Sequence, residues 1–526
     1  MSTDSPTGPP QVLPEEIAAL RADLAAASYL TSTIEQLLGP VAADALRRMN
    51  PVPADRVLTA REESAAVLLR LFTLGAALPR PQVETALPSL GVDGAMRLGL
   101  VEPVPMADAD GAVRALLELA PYSASDDAGQ IHWWIASDLS ELATGRPLGP
   151  EHVLGVGGAS LTLARITPRA SVGTVLDLGC GGGIQALHAS RHAERVVATD
   201  LSERALAVAA FNAALNGIEI ELRQGSLLEP VAGESFDLII SNPPFVITPR
   251  QAGEGTTTWT YRDGGRAGDA LLAELVRALP AHLAPGGSAV MLGNWEITDP
   301  AAWDAHPRAW VQDALDDGVD AWVLQREQED PAQYAETWVR DGGITDRDPE
   351  WATLVGAWLE DFAQREVEQL GFGYLLLRRP DPAARPPGAA SRPGRLRTEQ
   401  VPGTGSGALA PHLAASLDAM ETLAQLDDAA LAAARPVRAD DLVERRHLTP
   451  GQWDPMLIEL VQGAGFARRV RADQQLAATV GALDGTLTLG QVVGAVCALT
   501  DADEGKTLER VLPAVRELIL TGMATL

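Results

Sequence analysis

The chain has 526 residues, a formal net charge of −29, 46% hydrophobic residues and 21% charged ones. That length exceeds one ordinary domain, so two or three are expected, and the composition is that of a globular protein with a real core. No run of about 18 apolar residues marks a membrane span, and the two cysteines, Cys180 and Cys497, make neither a disulfide framework nor a zinc site between them.

The acidity weighs against a free nucleic-acid partner, because a polyanion is normally met by clustered Lys and Arg. A local basic patch inside an acidic chain stays open, and acidity also serves plain solubility.

Residues 1–14 are polar and Pro-rich. They lack the basic and apolar regions of a signal peptide and read as the disordered tail of a cytoplasmic protein. Residues 15–150 read as a mainly helical domain, expected to recognise the substrate. Ser64–Leu78 has helical spacing, and Pro81–Leu87 and Asp93–Leu98 read as short helices. Leu100–Val104 and Ala112–Leu119 flank the polar turn Ala107–Gly111 as a hairpin. Helices followed by a hairpin fit a winged-helix-like module and, equally, an irregular helical bundle.

Residues 151–379 alternate short apolar strands with helical patterns. The strands predicted are Val175–Leu178, Arg195–Thr199, Glu219–Arg223, Phe236–Ser241, Ser288–Leu292, Asp320–Gln325 and Gly373–Leu377. Helices are predicted at Glu203–Leu215, Gly268–Leu283 and Pro349–Leu370. This is the α/β pattern of a Rossmann-like parallel sheet covered on both faces, here of seven strands. Six of the 11 tryptophans fall between Trp303 and Trp358, read as core packing or as a substrate-facing aromatic surface. Residues 380–407 are rich in Pro, Gly, Ser and Arg and read as a flexible linker. With the residues just before it, this stretch makes a basic island of Arg378, Arg379, Arg385, Arg392, Arg395 and Arg397, expected to be solvated. Residues 408–526 read as a second mainly helical domain, ending in helix, helix and a short apolar strand over Thr486–Leu526.

Chemistry concentrates where the predicted strand at 175 runs into Asp177-Leu178-Gly179-Cys180-Gly181-Gly182-Gly183. Glycines let the backbone turn tightly and let a ligand approach the main chain. A dinucleotide fold uses the same device for a pyrophosphate, but a carboxylate before the first glycine would repel one. Asp177 instead suits a cofactor with a cationic amino group, as in the methionine part of S-adenosyl-L-methionine (SAM). The next strand ends at Asp200, where a carboxylate can accept hydrogen bonds from ribose hydroxyls, with Leu201 near the adenine. The alternative for Asp200 is a cap on the helix that follows. His188 and His192 have the spacing of metal ligands on one helical face, but no third ligand accompanies them, and solvent-facing positions are expected.

The fourth strand runs directly into Asn242-Pro243-Pro244-Phe245. The order Asp177, glycine loop, Asp200, Asn-Pro-Pro-Phe resembles the class I methyltransferases that modify amino nitrogens. These include release-factor glutamine methyltransferases, small-domain ribosomal RNA guanine methyltransferases and adenine-N6 DNA methyltransferases. The resemblance spans about Gly155 to Glu296. It implies a class I methyltransferase domain, SAM as cofactor and a planar amide or amino nitrogen as acceptor. It assigns Asn242, Pro243, Pro244 and Phe245 to catalysis. In that reading the Asn242 oxygen and the Pro243 carbonyl accept the acceptor's N–H groups, the prolines fix the backbone and Phe245 stacks on the flat target.

Cofactor contacts implied are Asp177, Gly179, Gly181, Gly183, Asp200, Leu201 and Asn242. Ser226 and Leu227 follow the third strand, where many relatives carry an acid for the adenine amino group; a serine offers only a neutral, weaker hydrogen bond there. Ser160 or Thr162, upstream in Gly155–Thr162, is implied near the methionine carboxylate, with a helix N-cap by Ser160 as alternative. Downstream, Asp263-Gly264-Gly265 and Gly268-Asp269 resemble the glycine-rich stretch of glutamine methyltransferases, with Tyr261 and Arg262 as substrate contacts. The favoured acceptor is a protein glutamine. The alternatives are a base amino group in RNA or DNA, a small molecule, and a non-catalytic scaffold. The acidity and the glycine stretch favour the first; the basic island and the winged-helix-like flank favour nucleic acid.

Overall fold

The computed structural model describes residues 8–105, 111–126, 128–250, 264–384, 392–403, 405 and 409–526. Among these, no helix is long and apolar enough to cross a membrane.

The N-terminal part begins with helices Pro14–Ala26, Thr31–Arg47, Val52–Thr59 and Ser64–Phe72. Two short helices, Arg80–Ala86 and Gly91–Arg97, follow the strand Leu78–Pro79. The strands Val101–Val104 and Ala112–Ala115 then pair with each other, and Leu78–Pro79 joins the far edge of the second. Three helices around a three-stranded sheet with the first strand inserted between helices is a winged-helix arrangement. Beyond it lies a long hairpin, Leu117–Asp126 and Gly129–Asp138, most of which the sequence reading left unassigned. Its buried Ile131, Trp133 and Ile135 pack against Ile184, Leu187 and Ala213 of the central domain.

The central domain opens with helix α1 (Gly158–Ile166) and strand β1 (Val172–Leu178), followed by α2 (Ile184–Ala189) and β2 (Ala193–Asp200). Next come α3 (Glu203–Asn216), β3 (Glu221–Gln224) and β4 (Phe236–Ser241). Helix α4 (Ala270–Ala278), β5 (Leu283–Ile297), α5 (Ala305–Asp316) and β6 (Asp320–Glu329) follow. Helices α6 (Pro331–Asp341) and α7 (Trp351–Gln364), then β7 (Gln369–Arg378), complete the seven strands expected. An eighth, β8 (Leu396–Gln400), extends the sheet, whose order is β3-β2-β1-β4-β5-β7-β6-β8. Only β7 runs antiparallel to its neighbours. This strand order, with one reversed strand near the edge, defines the class I methyltransferase fold. Because side chains alternate across a strand, β1 sends Leu176 into one core with Phe236, Leu272 and Trp310. It sends Val175 into the other, with Leu238, Ile240 and Trp322.

The eighth strand overturns the reading of residues 380–407 as a flexible linker. β8 pairs in register with β6 from Ala321↔Leu396 to Gln325↔Gln400. Most of the basic island is not solvated either, Arg395 being the exposed member. Arg392 makes paired hydrogen bonds of 2.7 Å to both oxygens of buried Asp320. Arg397 bonds Glu399 and Glu517, Arg378 lies near Asp418 and Glu421, and Arg379 donates to the Pro280 carbonyl. Arg385 lies outside the described residues. A local Pro/Arg composition hid these partners because they sit far away in sequence.

Helix α8 (Leu409–Ala424) then lays Leu409, Leu413, Leu417 and Met420 into the same core as Val175 and Leu238. The C-terminal part ends as predicted, in helices Leu489–Thr500 and Glu504–Leu520 and a short strand, Ala524–Thr525. The tryptophan-rich stretch is mostly packing. Tyr334 is fully buried among Trp338, Trp358, Phe362 and Phe372.

Candidate active site

The glycine loop is held from below and open above. The amides of Gly179 and Cys180 both donate to the Thr199 carbonyl at 2.9 Å, which ties the loop to β2. Gly179, Gly181 and Gly183 all have positive φ, between 52° and 84°, a conformation that costs any other residue strain. A Cβ on Gly179 or Gly181 would meet nothing within 4 Å, so the main chain there faces open space. Gly182 is fixed from behind, its carbonyl accepting Asn212 Nδ2 at 2.9 Å. Asn212 is also bonded through both side-chain atoms to Ala136 of the N-terminal hairpin. The N-terminal part therefore helps set the loop.

Asp177 does not face that opening. It is 1% exposed, its Oδ2 accepts the Ala186 amide at 2.9 Å, and burial pushes its pKa up to about 7. The carboxylate braces β1 against the first turn of α2 from beneath the glycines. Asp200 lies at the loop's edge, where its Oδ2 accepts Gly181 N–H at 2.9 Å and its Oδ1 accepts Ser202 N–H at 2.8 Å. Burial raises its pKa, and these amide bonds oppose the rise. The cap of α3 is Ser202, not Asp200, so the capping alternative for Asp200 falls. Leu201 is 64% exposed. Ser226 and Leu227 are half-buried after β3, and Leu227 adopts φ 47°.

The Asn-Pro-Pro-Phe segment leaves β4 where Ser241 Oγ donates to the Leu178 carbonyl, 2.8 Å away, beside the glycine loop. Asn242 Oδ1 is buried and has no hydrogen-bond partner among the described residues. A buried amide oxygen left unpaired costs about 1–3 kcal/mol. Pro243 is buried and Pro244 half-buried. Phe245 packs among three cores of the central domain. Its neighbour Ile247 donates its amide to Tyr334 Oη at 3.0 Å, and Asn294 Nδ2 donates to the same oxygen at 2.6 Å. Tyr334 thus pins the loop to β5.

Beside Phe245 a groove of about 310 Å³ opens at the end of the sheet. Aromatic and apolar walls come from Phe245, Phe372, Tyr374, Leu292 and Leu409, and small residues from Gly293, Gly373, Gly403 and Gly405. Thr162 and Arg165 of α1 and Arg326 and Glu327 of β6 supply its polar groups. Arg165 and Glu327 are exposed. Ser160 does not cap α1, which starts at Gly158 after Gly157; its carbonyl accepts Gln185 Nε2 at 2.7 Å.

Sequence reasoning missed most of the groove: Arg165, Glu327, Phe372, Tyr374, Gly403 and Leu409 belong to elements far apart in the chain. A glycine in each of three neighbouring pieces, at Gly293, Gly373 and Gly403, was the signal available. Tyr261, Arg262 and Asp263 lie outside the described residues. Gly268 and Asp269 do not reach Asn242 by any hydrogen bond among the described residues. Instead Asp269 Oδ2 accepts the Glu296 amide at 3.0 Å and meets His306 Nδ1 at 2.6 Å. His188 is 4% exposed, contrary to the solvent-facing position expected of it, and burial drives its pKa down to about 3. It stacks edge-on against Tyr122 and Trp133. Among the described residues no cluster of three or more His, Cys, Asp or Glu could hold a metal.

With the geometry in place, comparison with known proteins is informative. Residues 156–259 match the methyltransferase small domain family, and residues 26–116 match a domain family of unknown function. A release factor glutamine methyltransferase from Xylella fastidiosa is 39% identical over 135 residues, 24% of this chain and 49% of that protein. A ribosomal protein uL3 glutamine methyltransferase from Bradyrhizobium diazoefficiens is 30% identical over 179 residues, 32% of this chain and 55% of that one. The ribosomal RNA small subunit methyltransferase C of Escherichia coli is 32% identical over 149 residues, 28% and 38% of the two chains. The chain spans about half the length, or less, of these relatives. Its central segment is similar to part of these glutamine and ribosomal RNA methyltransferases.

Proposed function

We propose that this chain, whose central domain is a class I methyltransferase with a methyltransferase small domain, is a SAM-dependent N-methyltransferase acting on a planar nitrogen. The favoured acceptor is the side-chain amide of a protein glutamine. The observation that carries this reading is the buried, unpartnered Asn242 Oδ1 at the end of β4, between the glycine loop and the groove.

The residues present fit SAM. The open main chain over Gly179 and Gly181 is where a ligand can approach the loop, and Asp200 keeps lone pairs for ribose hydroxyls beyond its two amide bonds. Exposed Leu201 is apolar surface for the adenine, with Ser226 and Leu227 on its other side. Asp177, being buried, supports the loop from beneath. Bound there, SAM supplies a methyl group activated by a positively charged sulfur.

The protein's part is positioning and charge stabilisation. The lone pair of an amide nitrogen is delocalised, so the nitrogen attacks well only as it becomes more tetrahedral. Asn242 Oδ1 accepts one of its N–H bonds and the Pro243 carbonyl another, which orients the lone pair and stabilises the positive charge developing on nitrogen. SAM held by the glycine loop and Asp200 would supply the methyl group to that lone pair and leave as the neutral thioether, and the acceptor nitrogen would give up its proton to solvent. Pro243 and Pro244 hold that carbonyl without reorganisation. Phe245, with Phe372 and Tyr374 in the groove, offers flat surface to a flat acceptor. Those aromatic walls also favour the second reading, a base amino group in RNA or DNA.

The N-terminal part, with Gly403, Gly405 and Leu409 in the groove wall, acts in this reading on the substrate side. A cytosolic setting is supported by Cys180 and Cys497, both buried and unbridged, as thiols usually are there.

Incubation of the protein with methyl-tritiated SAM and a cell lysate tests the assignment. Label destroyed by protease supports the glutamine reading, and label destroyed by nuclease the second. No transfer to either would reject both.

A further inference from the structure

The C-terminal part carries a surface that the methyl-transfer site does not use. Strands β9 (Val443–Leu448), β10 (Pro455–Val461) and β11 (Arg469–Ala472) form an antiparallel sheet with β10 in the middle. The register sets Arg445 opposite Glu459 and Glu459 opposite Arg471. It likewise sets Val443 opposite Val461 and Val461 opposite Arg469. Cross-strand partners share a face, so Arg445, Arg469 and Arg471 stand on one face together with His447. The other face turns Ile458 and Leu460 into the protein, 5% and 2% exposed.

All of β9 is exposed, as are Arg469 and Arg471. None of these three arginines makes an ion pair or side-chain hydrogen bond among the described residues, whereas Arg446 and His447 beside them do. Glu459, the one carboxylate those strands place on that face, is engaged by His447 Nε2 at 2.7 Å and its side chain is only 16% exposed. At the tip of the β9–β10 hairpin Trp453 is 92% exposed, and Met456 beside it 76%. In a chain of net charge −29 that pairs Arg378, Arg392 and Arg397 with carboxylates, three bare arginines on a sheet whose hairpin tip carries a bare indole need a reason.

We propose that this face docks an unpaired stretch of RNA, its phosphates on Arg445, Arg469 and Arg471 and a base stacked on Trp453. Arginine guanidinium groups suit phosphate geometry, and an indole takes any base by its π-face. Unstacked bases are presented above all by RNA loops and bulges. An acidic peptide would satisfy the arginines but would leave the indole without a flat partner. The distant acidic charge of the chain is screened over a Debye length of about 8 Å at physiological salt. The sheet is also in contact with the catalytic domain. Arg468, just before β11, bonds Glu399 of β8 at 2.6 Å and lies over Trp322 of β6, 5.8 Å from the ring centre. RNA held there has a fixed orientation to the groove, whether the acceptor is a base or a glutamine on an RNA-bound protein. The inference stands apart from the choice between those acceptors.

The test is fluorescence anisotropy of a labelled single-stranded RNA of about 20 nucleotides with the full-length protein at several salt concentrations. Expected is binding that weakens with salt at a log–log slope of about −2, the value for three neutralised phosphates on a single strand. The triple variant Arg445→Glu, Arg469→Glu, Arg471→Glu should lose at least tenfold in affinity and most of that slope. Trp453→Ala should lose about fivefold or more, for one lost stack. Thermal melts and calorimetric SAM binding show that both variants are folded, and a loss of SAM binding in the wild type would strike the methyltransferase reading instead. Unchanged RNA affinity in the folded triple variant, or displacement of the RNA by polyglutamate, would overturn the proposal.

Discussion

The two halves of the central sheet are built by different kinds of contact. From β1 to β3 the bonds that shape the site are short in sequence: Asp177 to Ala186 spans 9 residues and Asp200 to Gly181 spans 19. From β5 to β8 they are long: Asp320 to Arg392 spans 72 residues and Glu517 to Arg397 spans 120. The first half is mostly a local device, braced by one long link from Asn212 to Ala136 of the N-terminal hairpin. The second half draws its partners from the C-terminal part. Fold recognition and independent folding are therefore separate questions for this chain, because the recognisable segment is only part of the folding unit.

The largest expected effect follows from that difference. A fragment of residues 149–379 keeps the whole glycine loop but loses β8, Arg392 and α8. It leaves Asp320, fully buried in the intact chain, without its arginine, and it bares one core face at Trp322 and Leu324. Leaving a buried charge unpaired costs about 3–5 kcal/mol, a large share of a typical stability of 5–15 kcal/mol. The fragment is expected to lack cooperative unfolding in near-UV circular dichroism and to bind no SAM. A soluble, cooperatively melting fragment that binds SAM would break the comparison.

Within the cofactor half, Asp200→Ala removes the proposed ribose acceptor and an anchor for Gly181. Loss of one or two hydrogen bonds at about 1–3 kcal/mol each weakens SAM binding by roughly tenfold or more. Calorimetry at constant protein fold checks this, and unchanged affinity removes Asp200 from the site.

A smaller effect sharpens the other half. His412 on α8 meets Arg468 at 3.0 Å, and burial together with that arginine drives its pKa down to about 4 from the ordinary 6.5. Its folded pKa is depressed, so the unfolded chain takes up a proton first as pH falls. The contribution of His412 to stability is present above about pH 6.5 and is lost as pH falls towards 4. His412→Gln should flatten that part of the pH–stability curve in thermal melts. An unaltered curve would show that His412 is not buried neutral at the junction.

The same contrast explains what could be read from the sequence. The glycine loop, Asp200 and Asn242-Pro243-Pro244-Phe245 were legible because a few adjacent residues carry each device. All seven strands of the core order were legible from alternating apolar runs. The eighth strand was not, because Leu396–Gln400 lies in Pro- and Arg-rich surroundings and is ordered by partners up to 120 residues away. Asp177 was placed at the cofactor by its charge, yet its depth beneath the glycines depends on α2 packing over it. The groove was illegible for the same reason: Arg165, Phe372 and Gly403 have no shared pattern until the sheet brings them together.

Methyl transfer in this reading depends on Asn242, and one paired measurement reaches it. In Asn242→Ala, calorimetric SAM binding and methyl-transfer turnover are measured on the same preparation. The loss of one preorganised acceptor at the reacting nitrogen is expected to lower turnover by about 10²–10³-fold, by analogy with oxyanion-hole deletions, while SAM affinity changes little. Wild-type turnover in the variant, or an equal loss in SAM binding, would contradict the assignment of its buried oxygen to the acceptor nitrogen.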